Sequence, residues 1–496
     1  MKRLIKITLI SFVLVHMVSC QDEFLVEEPS QFLTSDQLEV AAENNPDIVR
    51  GFLDGIYALN AEAASGGTTS HTDFGHKAYD LYSDMLVGDV ALSVSTYGWY
   101  RADITEFQAP LDFTRQSNRQ PWQFYYSIIR SANTVIGTLG GNDADPQLET
   151  NQHILGQAFA LRAFSYFYLT QYFVNEYDPN AEVLPLLDET INTGLPKSTM
   201  GEVYTLMETD LNRSIDLLST YSRPTKAQIN QYVAKGLLAY VIASTKDESR
   251  LPEVIALTDD VIGNSGAQLT PESEALGGFN DLNNQGWLWG IDLNEDLGLG
   301  LISWWGQMDY YTYSYAWAGD PKVIDESLYD LIPADDIRKS QFNTGQDATA
   351  PALTPINKFY HPGRTAGGQT VVTTDYVYMR VAEMILLKAE SHAKLNQPAP
   401  ARAALKLLME ERVPDASYVD ALNGSDLMNE IYLQTRIELW GEGKTYLAFK
   451  RNERTATRGE NHLSFVGEEI PYNDERMTFE IPEREIQDNP FINTQN

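Results

Sequence analysis

Residues 156–169 read GQAFALRAFSYFYL, and residues 122–136 read WQFYYSIIRSANTVI. In both stretches the apolar residues recur with the i, i+3, i+4 spacing that places side chains on one face of a helix. In the second stretch these positions are Trp122, Tyr125, Tyr126, Ile129, Ala132, Val135 and Ile136. The two stretches therefore predict a pair of long helices within a mainly helical fold.

Helical spacing continues on both sides of this pair. It predicts further helices at 47–59, 79–89, 200–218, 227–244, 252–262, 378–392, 398–412 and 426–440. Small residues at possible helix crossings, among them Ala234, Gly236 and Ala239, suggest tetratricopeptide-like hairpins. Ordinary amphipathic hairpins would show the same pattern, so both interpretations stay open.

The remaining segments are less regular. Residues 61–72 are small and rich in glycine and serine, which predicts a loop. In residues 263–375 glycine and asparagine are frequent, aromatic residues cluster and the helical period fades, which predicts loops and short strands. Residues 477–490 predict a short strand and a capping turn.

Charge and composition exclude several classes of function. The chain has 496 residues, with 36 Lys and Arg against 69 Asp and Glu, a net charge of −33. Such an acidic balance argues against nucleic-acid binding through phosphates and against electrostatic docking on anionic lipid. A single cysteine, Cys20, excludes an internal disulfide and a multi-cysteine zinc site. Asp281, Asn283 and Gln285 show the spacing of a calcium loop but no glutamate closes it, so we predict no cofactor and keep a structural calcium ion as the alternative.

The first residues have the properties of a targeting segment. Basic residues precede an apolar run at 7–18, which is too short to span a bilayer and suits a signal peptide. Val18-Ser19-Cys20 resembles the end of a bacterial lipobox, which predicts a signal peptide at 1–19, a lipidated Cys20 and a tether at 20–46. The alternative is an ordinary secretory signal with an incidental cysteine.

Several segments together resemble the SusD/RagB family of outer-membrane nutrient-uptake lipoproteins. They follow in the family's order along nearly the whole mature chain: the lipobox, 122–136, 156–169, 378–390, 436–444 and 481–490. The Arg380-x-x-Glu383 and Ala389-Glu390 positions match the family pattern closely. Lys444, where arginine is usual, and Ala448, where aspartate is common, depart from it.

The resemblance implies a fold and a function. The fold would have a tetratricopeptide-like scaffold and an irregular half that carries the ligand site. Within a body at 47–496, we place a helical part at 47–262, an aromatic-rich part at 263–375 and a second helical part at 376–496. The resemblance further implies a lipid-anchored protein of the outer membrane, facing the exterior. It would bind a glycan, pass it to a SusC-like TonB-dependent transporter and perform no catalysis; peptide is the alternative ligand, as for a RagA-like transporter.

Exposed aromatic rings are the candidate ligand contacts, because rings stack on the flat C–H faces of sugars. Five of the eight tryptophans lie between 287 and 317, interleaved with tyrosines. We select from this region Trp304, Trp305, Tyr311, Tyr313 and Trp317. A second candidate segment contributes Trp99, Tyr100 and Arg101, with Asp80 as a possible acceptor for sugar hydroxyls. Core packing is the alternative role for each ring.

Two other classes of function remain as alternatives. A secreted glycoside hydrolase would need two carboxylates about 5–10 Å apart, and so acidic a chain offers pairs whatever its function. Against it stand the helix hairpins and the lack of a nucleophile elbow or a phosphate loop. A helical scaffold that grips only proteins is the third class, and the aromatic cluster argues against it.

Overall fold

The computed structural model describes residue 41 and residues 45–188 and 194–496. The predicted signal peptide, Cys20 and most of the tether lie outside the described residues. The described α-helices are α1 Pro46–Leu59, α2 His76–Leu86, α3 Gln108–Leu111, α4 Gln116–Thr138, α5 Glu149–Phe173, α6 Met200–Leu217, α7 Gln231–Ser244, α8 Leu251–Asn264, α9 Trp305–Met308, α10 Tyr315–Ala318, α11 Glu326–Leu331, α12 Val381–Lys394, α13 Pro398–Met409, α14 Gly424–Glu438, α15 Lys444–Arg451 and α16 Glu483–Asp488.

The strands are short and pair in twos. They are β1 Val90–Leu92, β2 Glu182–Leu184, β3 Ser198–Thr199, β4 Trp287–Ile291, β5 Lys322–Ile324, β6 Tyr376–Arg380, β7 Thr455–Thr457 and β8 Glu469–Pro471. Four antiparallel pairs form: β1 with β5, β2 with β3, β4 with β6, and β7 with β8. The fold is therefore mainly helical, as the sequence predicts.

The two stretches that began the sequence analysis form α4 and α5, which pack against each other and, through α5, against α6. Arg162 of α5 is 1% exposed, and its hydrogen bonds connect the three helices. Its guanidinium donates to both carboxylate oxygens of Asp210 in α6, at 2.7 and 2.8 Å, and to Asn133 in α4 at 2.8 Å. A buried guanidinium stays in a core only when its donors are bonded, so this residue fixes how the three helices meet.

The predicted hairpins are present as two helix pairs, α7 with α8 and α12 with α13, and α8 packs on α12 to join them. A Cβ added at Gly236 of α7 would lie 2.8 Å from Met379 Sδ, so the glycine permits a close approach of the helix to β6. Tyr240 of α7 donates to Glu383 of α12 at 2.9 Å. Residues around Arg380 and Glu383 that resemble a family pattern thus hold the scaffold together.

Two segments have a different element type from the one that the sequence predicts. The helix predicted at 378–392 begins at Val381, because Tyr376–Arg380 forms β6 against β4. A strand with one face exposed to solvent shows alternating polar and apolar residues. Both faces of β6 are buried, so its sequence lacks this alternation. The tail predicted as a strand and a turn contains a 3₁₀-helix at Glu475–Met477 and α16. No helix among the described residues is long and apolar enough to cross a membrane.

Candidate functional site: an exposed aromatic surface

Three segments, the third of them far from the other two in sequence, bring aromatic side chains together. They are the loop at 61–75, the loop at 93–99 that follows β1, and α10 with the turn at 309–314 that precedes it. We call the six side chains that they supply the aromatic surface: the exposed Tyr97, Tyr313 and Trp317, the half-buried His71 and Trp99, and the buried Tyr315, which is 5% exposed. Pairing of β1 with β5 brings the second and third segments together, since β5 follows α10 within a few residues.

The centre of the aromatic surface is a stacked pair of rings. His71 and Trp99 lie parallel, with ring centres 4.9 Å apart and planes at 6°. His71 Nδ1 shares a 2.6 Å hydrogen bond with the Tyr315 hydroxyl, and the Tyr97 ring meets Tyr315 edge to face at 5.3 Å. Since His71 covers one face of Trp99, the indole is held in one orientation.

The second part of the surface is the pair Tyr313 and Trp317, with ring centres 5.6 Å apart and planes at 46°. Gly367 backs the indole, because a Cβ at this residue would lie 2.8 Å from the Trp317 ring atoms. Tyr97, Tyr313 and Trp317 are 55%, 47% and 42% exposed. Large rings exposed to this extent and clustered are unusual on a soluble domain and are typical of a binding surface.

Buried carboxylates hold the loops that carry these rings. Asp73 accepts from the backbone N–H groups of Gly66 and Thr68 at 2.7 and 2.9 Å, which shapes the loop before His71. Asp309 accepts from the Tyr311 N–H and the His361 N–H at 2.9 and 3.0 Å, which shapes the turn before α10. Burial raises the pKa of Asp309 to about 6, while these hydrogen bonds act in the opposite direction.

Four of the ligand contacts selected from the sequence are corrected by the structure. Trp304, Trp305, Tyr100 and Asp80 are at most 2% exposed, so they belong to the core. Trp304 packs edge to face on Phe359 at 4.6 Å. Asp80 pairs with Lys77 at 2.9 Å in the protein interior. Their side chains are enclosed by packing and cannot reach a ligand.

The other selected residues have different positions. Tyr313, Trp317 and Trp99 lie in the aromatic surface. Tyr311 is 4% exposed and donates to Asp347 at 2.9 Å. Arg101 is exposed and pairs with Glu106 at 3.2 Å.

Three members of the surface were absent from the sequence-based selection: His71, Tyr97 and Tyr315. Tyr97 and Tyr315 lie inside the two aromatic segments that the sequence singled out, so their neighbours were the available signal. His71 lies in the predicted loop at 61–72, where no pattern distinguishes it.

The chemistry of the surface suits stacking rather than metal binding. Within the described residues no group of three His, Cys, Asp or Glu is placed to hold a metal ion. Asp281, part of the calcium-like spacing, accepts from the Asn283 N–H at 2.8 Å within a local turn. Rings with one face backed by the protein and the other open can bind flat apolar faces, and neighbouring hydroxyl and imidazole groups can bond polar edges.

Comparisons with known proteins agree with this architecture. Residues 68–242 match a SusD-like family described as starch-binding and associating with the outer membrane, and residues 338–496 match the SusD family. A SusD-like protein of Bacteroides ovatus is 26% identical over 298 residues, which cover 56% of this chain and 48% of that protein. The match thus spans about half the length of this curated relative.

Solved structures show the same fold. A SusD-like carbohydrate-binding protein of Bacteroides vulgatus superposes with a TM-score of 0.74 at 24% identity, covering 90% of this chain and 96% of that chain. Surface glycan-binding protein A of Bacteroides thetaiotaomicron, in complex with laminarihexaose, gives a TM-score of 0.67 at 15% identity, covering 91% and 99%. With the two family matches at either end of the body and one shared fold throughout, the chain belongs to the SusD/RagB family.

Proposed function

We propose that this protein is a cell-surface glycan-binding lipoprotein that captures oligosaccharides on the aromatic surface. It passes them, without catalysis, to a SusC-like TonB-dependent transporter of the outer membrane. The observation that carries the proposal is the grouping of the exposed rings Tyr97, Tyr313 and Trp317 with the half-buried stacked pair His71 and Trp99 on a SusD/RagB-family fold.

The arrangement of the rings supports sugar as the ligand. Trp99 and Trp317 are each backed by the protein, Trp99 by His71 and Trp317 by Gly367. Rings fixed in this way lose little conformational entropy when a ligand stacks on them. Two carboxylates beneath the surface, Asp309 and Asp320, accept backbone hydrogen bonds, so they serve to hold loops.

Other features support the proposed location and partner. Lipidation at Cys20 would anchor the body at the membrane, and a lipoprotein cysteine carries more than one acyl chain, which makes anchoring stable. The family description of residues 68–242 includes association with the outer membrane. A protein anchored beside a transporter can hand over its ligand without free diffusion, because tethering raises the effective concentration.

Affinity electrophoresis of residues 21–496 in gels containing plant, host and microbial glycans tests the proposal. We expect one glycan to retard the protein and retardation to weaken in Trp317→Ala, Trp99→Ala and Tyr97→Ala. The exposed part of Trp317 is 42% of the residue, or about 100 Å², and covering half to all of it is worth about 1–2.5 kcal/mol, roughly 5- to 70-fold in affinity.

Tyr418→Ala is the matched control. Tyr418 lies between α13 and α14, outside the three segments of the aromatic surface. Its ring is 39% exposed and its hydroxyl donates to Glu430. Retardation that all three surface variants retain at full strength would refute the assignment of the site. No retardation by any glycan, together with binding of a peptide pool that Trp317→Ala abolishes, would establish the peptide alternative.

A further inference from the structure

Three polar side chains lie fully buried directly beneath the aromatic surface. They are Gln307 of α9, Asp320 after α10 and Lys322 of β5, and each is 0% exposed. A charged ammonium is costly to bury unless it is paired, so Lys322 requires an explanation. Lys322 is opposite Leu92 in the β1–β5 pair, which places it between the segments that carry the rings.

Lys322 is connected to the loop that carries His71. Its Nζ donates to Gln307 Oε1 at 2.9 Å, and Gln307 Nε2 donates to the backbone carbonyl of His71 at 2.9 Å. Gln307 thus uses its acceptor on the lysine and a donor on the loop. This chain of two bonds links Lys322 to the backbone of His71, whose ring stacks on Trp99.

Lys322 also faces the rings of two tyrosines. Its Nζ lies 5.8 Å from the centre of the Tyr315 ring in the aromatic surface and 5.1 Å from the centre of the buried Tyr100 ring. An ammonium at such distances is attracted to the negative ring faces, and more strongly where water is excluded. A neutral amine would lose this attraction and would keep only its hydrogen bonds.

Asp320 acts on the third segment. Its carboxylate accepts from the backbone N–H groups of Thr96 and Tyr97, the latter at 3.1 Å, and Thr96 Oγ1 donates to the Gly319 carbonyl at 2.9 Å. The loop that carries Tyr97 and Trp99 is therefore fixed to the end of α10. Asp320 is also the carboxylate whose charge attracts the Lys322 ammonium.

We propose that Lys322 is a positioning residue of the glycan surface: its ammonium, through Gln307 and the Tyr315 ring, holds His71 and Trp99 in their binding arrangement, so affinity falls when the ammonium is lost. This inference rests on the proposed function for its ligand, and on the geometry alone for the positioning. The titratable groups that face Lys322 are Asp320 from its own segment, Tyr315 from α10 and Tyr100 from the loop after β1. His71 joins them through its bond to Tyr315.

The burial of Lys322 supports this proposal, because it brings the pH at which the side chain loses its charge close to neutral. Desolvation lowers the pKa of Lys322 to about 7, against the attraction of Asp320. Below that value the side chain is an ammonium, and above it a neutral amine. Glycan affinity is then expected to decrease as pH rises through about 7.

The matched control is a second buried lysine far from the aromatic surface. Desolvation also lowers the pKa of Lys450 in α15 to about 7, and its Nζ donates to the carbonyls of Gln171, at 2.6 Å, and Val174. Lys450→Met therefore removes the same kind of buried charge without touching the segments that carry the rings. Gln307→Met keeps the Lys322 side chain but removes both its hydrogen-bond acceptor and the bond to the His71 carbonyl, so it breaks the connection at its centre.

The first measurement needs no ligand. Hydrogen exchange of the peptide that contains residues 69–73, at pH 6.5, is expected to accelerate several-fold in Lys322→Met and in Gln307→Met, and to match the wild type in Lys450→Met. The second measurement is affinity for maltohexaose, laminarihexaose and cellohexaose between pH 6 and 8.5. We expect a several-fold decrease across this range for the wild type and for Lys450→Met, and weaker, pH-independent binding for Lys322→Met.

The outcomes separate this inference from the proposed function. Unchanged exchange at residues 69–73 in a folded Lys322→Met protein overturns the inference, whether or not any of the three sugars binds. Binding with an unaltered pH profile in Lys322→Met also overturns it and leaves the proposed function standing. Accelerated exchange without binding of any of the three sugars supports the positioning role and counts against glycan as the ligand.

Discussion

Removing the charge of Glu438 should destabilise the whole body, because this residue is the centre of a buried cluster of guanidinium groups. Glu438 is 3% exposed at the end of α14. Its Oε1 accepts from Arg380 and Arg412 at 3.0 Å each, and its Oε2 accepts from Arg412 at 2.9 Å and Arg338 at 3.3 Å. Burial alone would raise the pKa of Glu438, but the guanidinium groups hold it well below its usual range.

The magnitude for Glu438→Gln follows from which charges lose their partner. Arg380 keeps Glu442 at 2.7 Å and Arg338 keeps Asp336 at 2.6 Å, whereas Arg412 keeps only backbone carbonyls. The new amide would also point an N–H group at guanidinium donors. Leaving one buried charge without its counterion costs about 3–5 kcal/mol, and we expect that loss in the free energy of unfolding.

Urea denaturation followed by circular dichroism at pH 7 measures this loss, with Glu430→Gln on the same helix as the control. Glu430 bonds Tyr418 and Gln434 near the surface, and its change should cost less than about 1 kcal/mol. Because the folded pKa of Glu438 is depressed, its contribution is present above the ordinary glutamate pKa and is lost as pH falls below it. A Glu438→Gln protein within about 1 kcal/mol of the wild type, or with the same acid sensitivity, would refute the reasoning.

The remaining predictions concern the segments under the aromatic surface. Gly367→Ala places a Cβ 2.8 Å from the Trp317 ring at a φ of +60°, so it should weaken glycan retardation in affinity gels. Gly298→Ala is the control, since it has the same φ of +60° and open space around it; equal effects of the two changes would contradict a specific contact with Trp317. The raised pKa of Asp309, about 6, means that the native state binds this proton more tightly than the unfolded chain. Stability should therefore fall by roughly 1–3 kcal/mol as pH rises from about 4 to 6.5, and Asp309→Asn should flatten that slope in urea titrations; an unchanged slope would contradict the assignment.

The two residues that depart from the family pattern, Lys444 and Ala448, are buried. Lys444, where arginine is usual, is 5% exposed and donates to the Tyr168 hydroxyl at 3.0 Å. Ala448, where aspartate is common, is 1% exposed within α15. Both lie in the packed interior, away from the aromatic surface, so they do not alter the candidate site.

Local sequence determined the helices and pointed to the two segments that supply most of the candidate ligand contacts. Helical periodicity over many residues is set by the chain's own geometry, so 122–136 and 156–169 identified α4 and α5 without any tertiary information. The two aromatic segments, at 97–101 and 304–317, were likewise visible, because clustered rings in an irregular stretch are a property of composition.

Only the tertiary structure decided which of those rings are exposed. Trp304 and Trp305 are core residues, while Tyr313 and Trp317, a few positions further, are open to solvent. His71 joined the surface from a loop with no distinguishing pattern. Burial depends on packing between segments hundreds of residues apart, and pairing of β1 with β5 and the buried contacts of Lys322 and Asp320 set that packing. Sequence spacing reports which residues share a helix face, but it carries no information about which distant segment will cover that face.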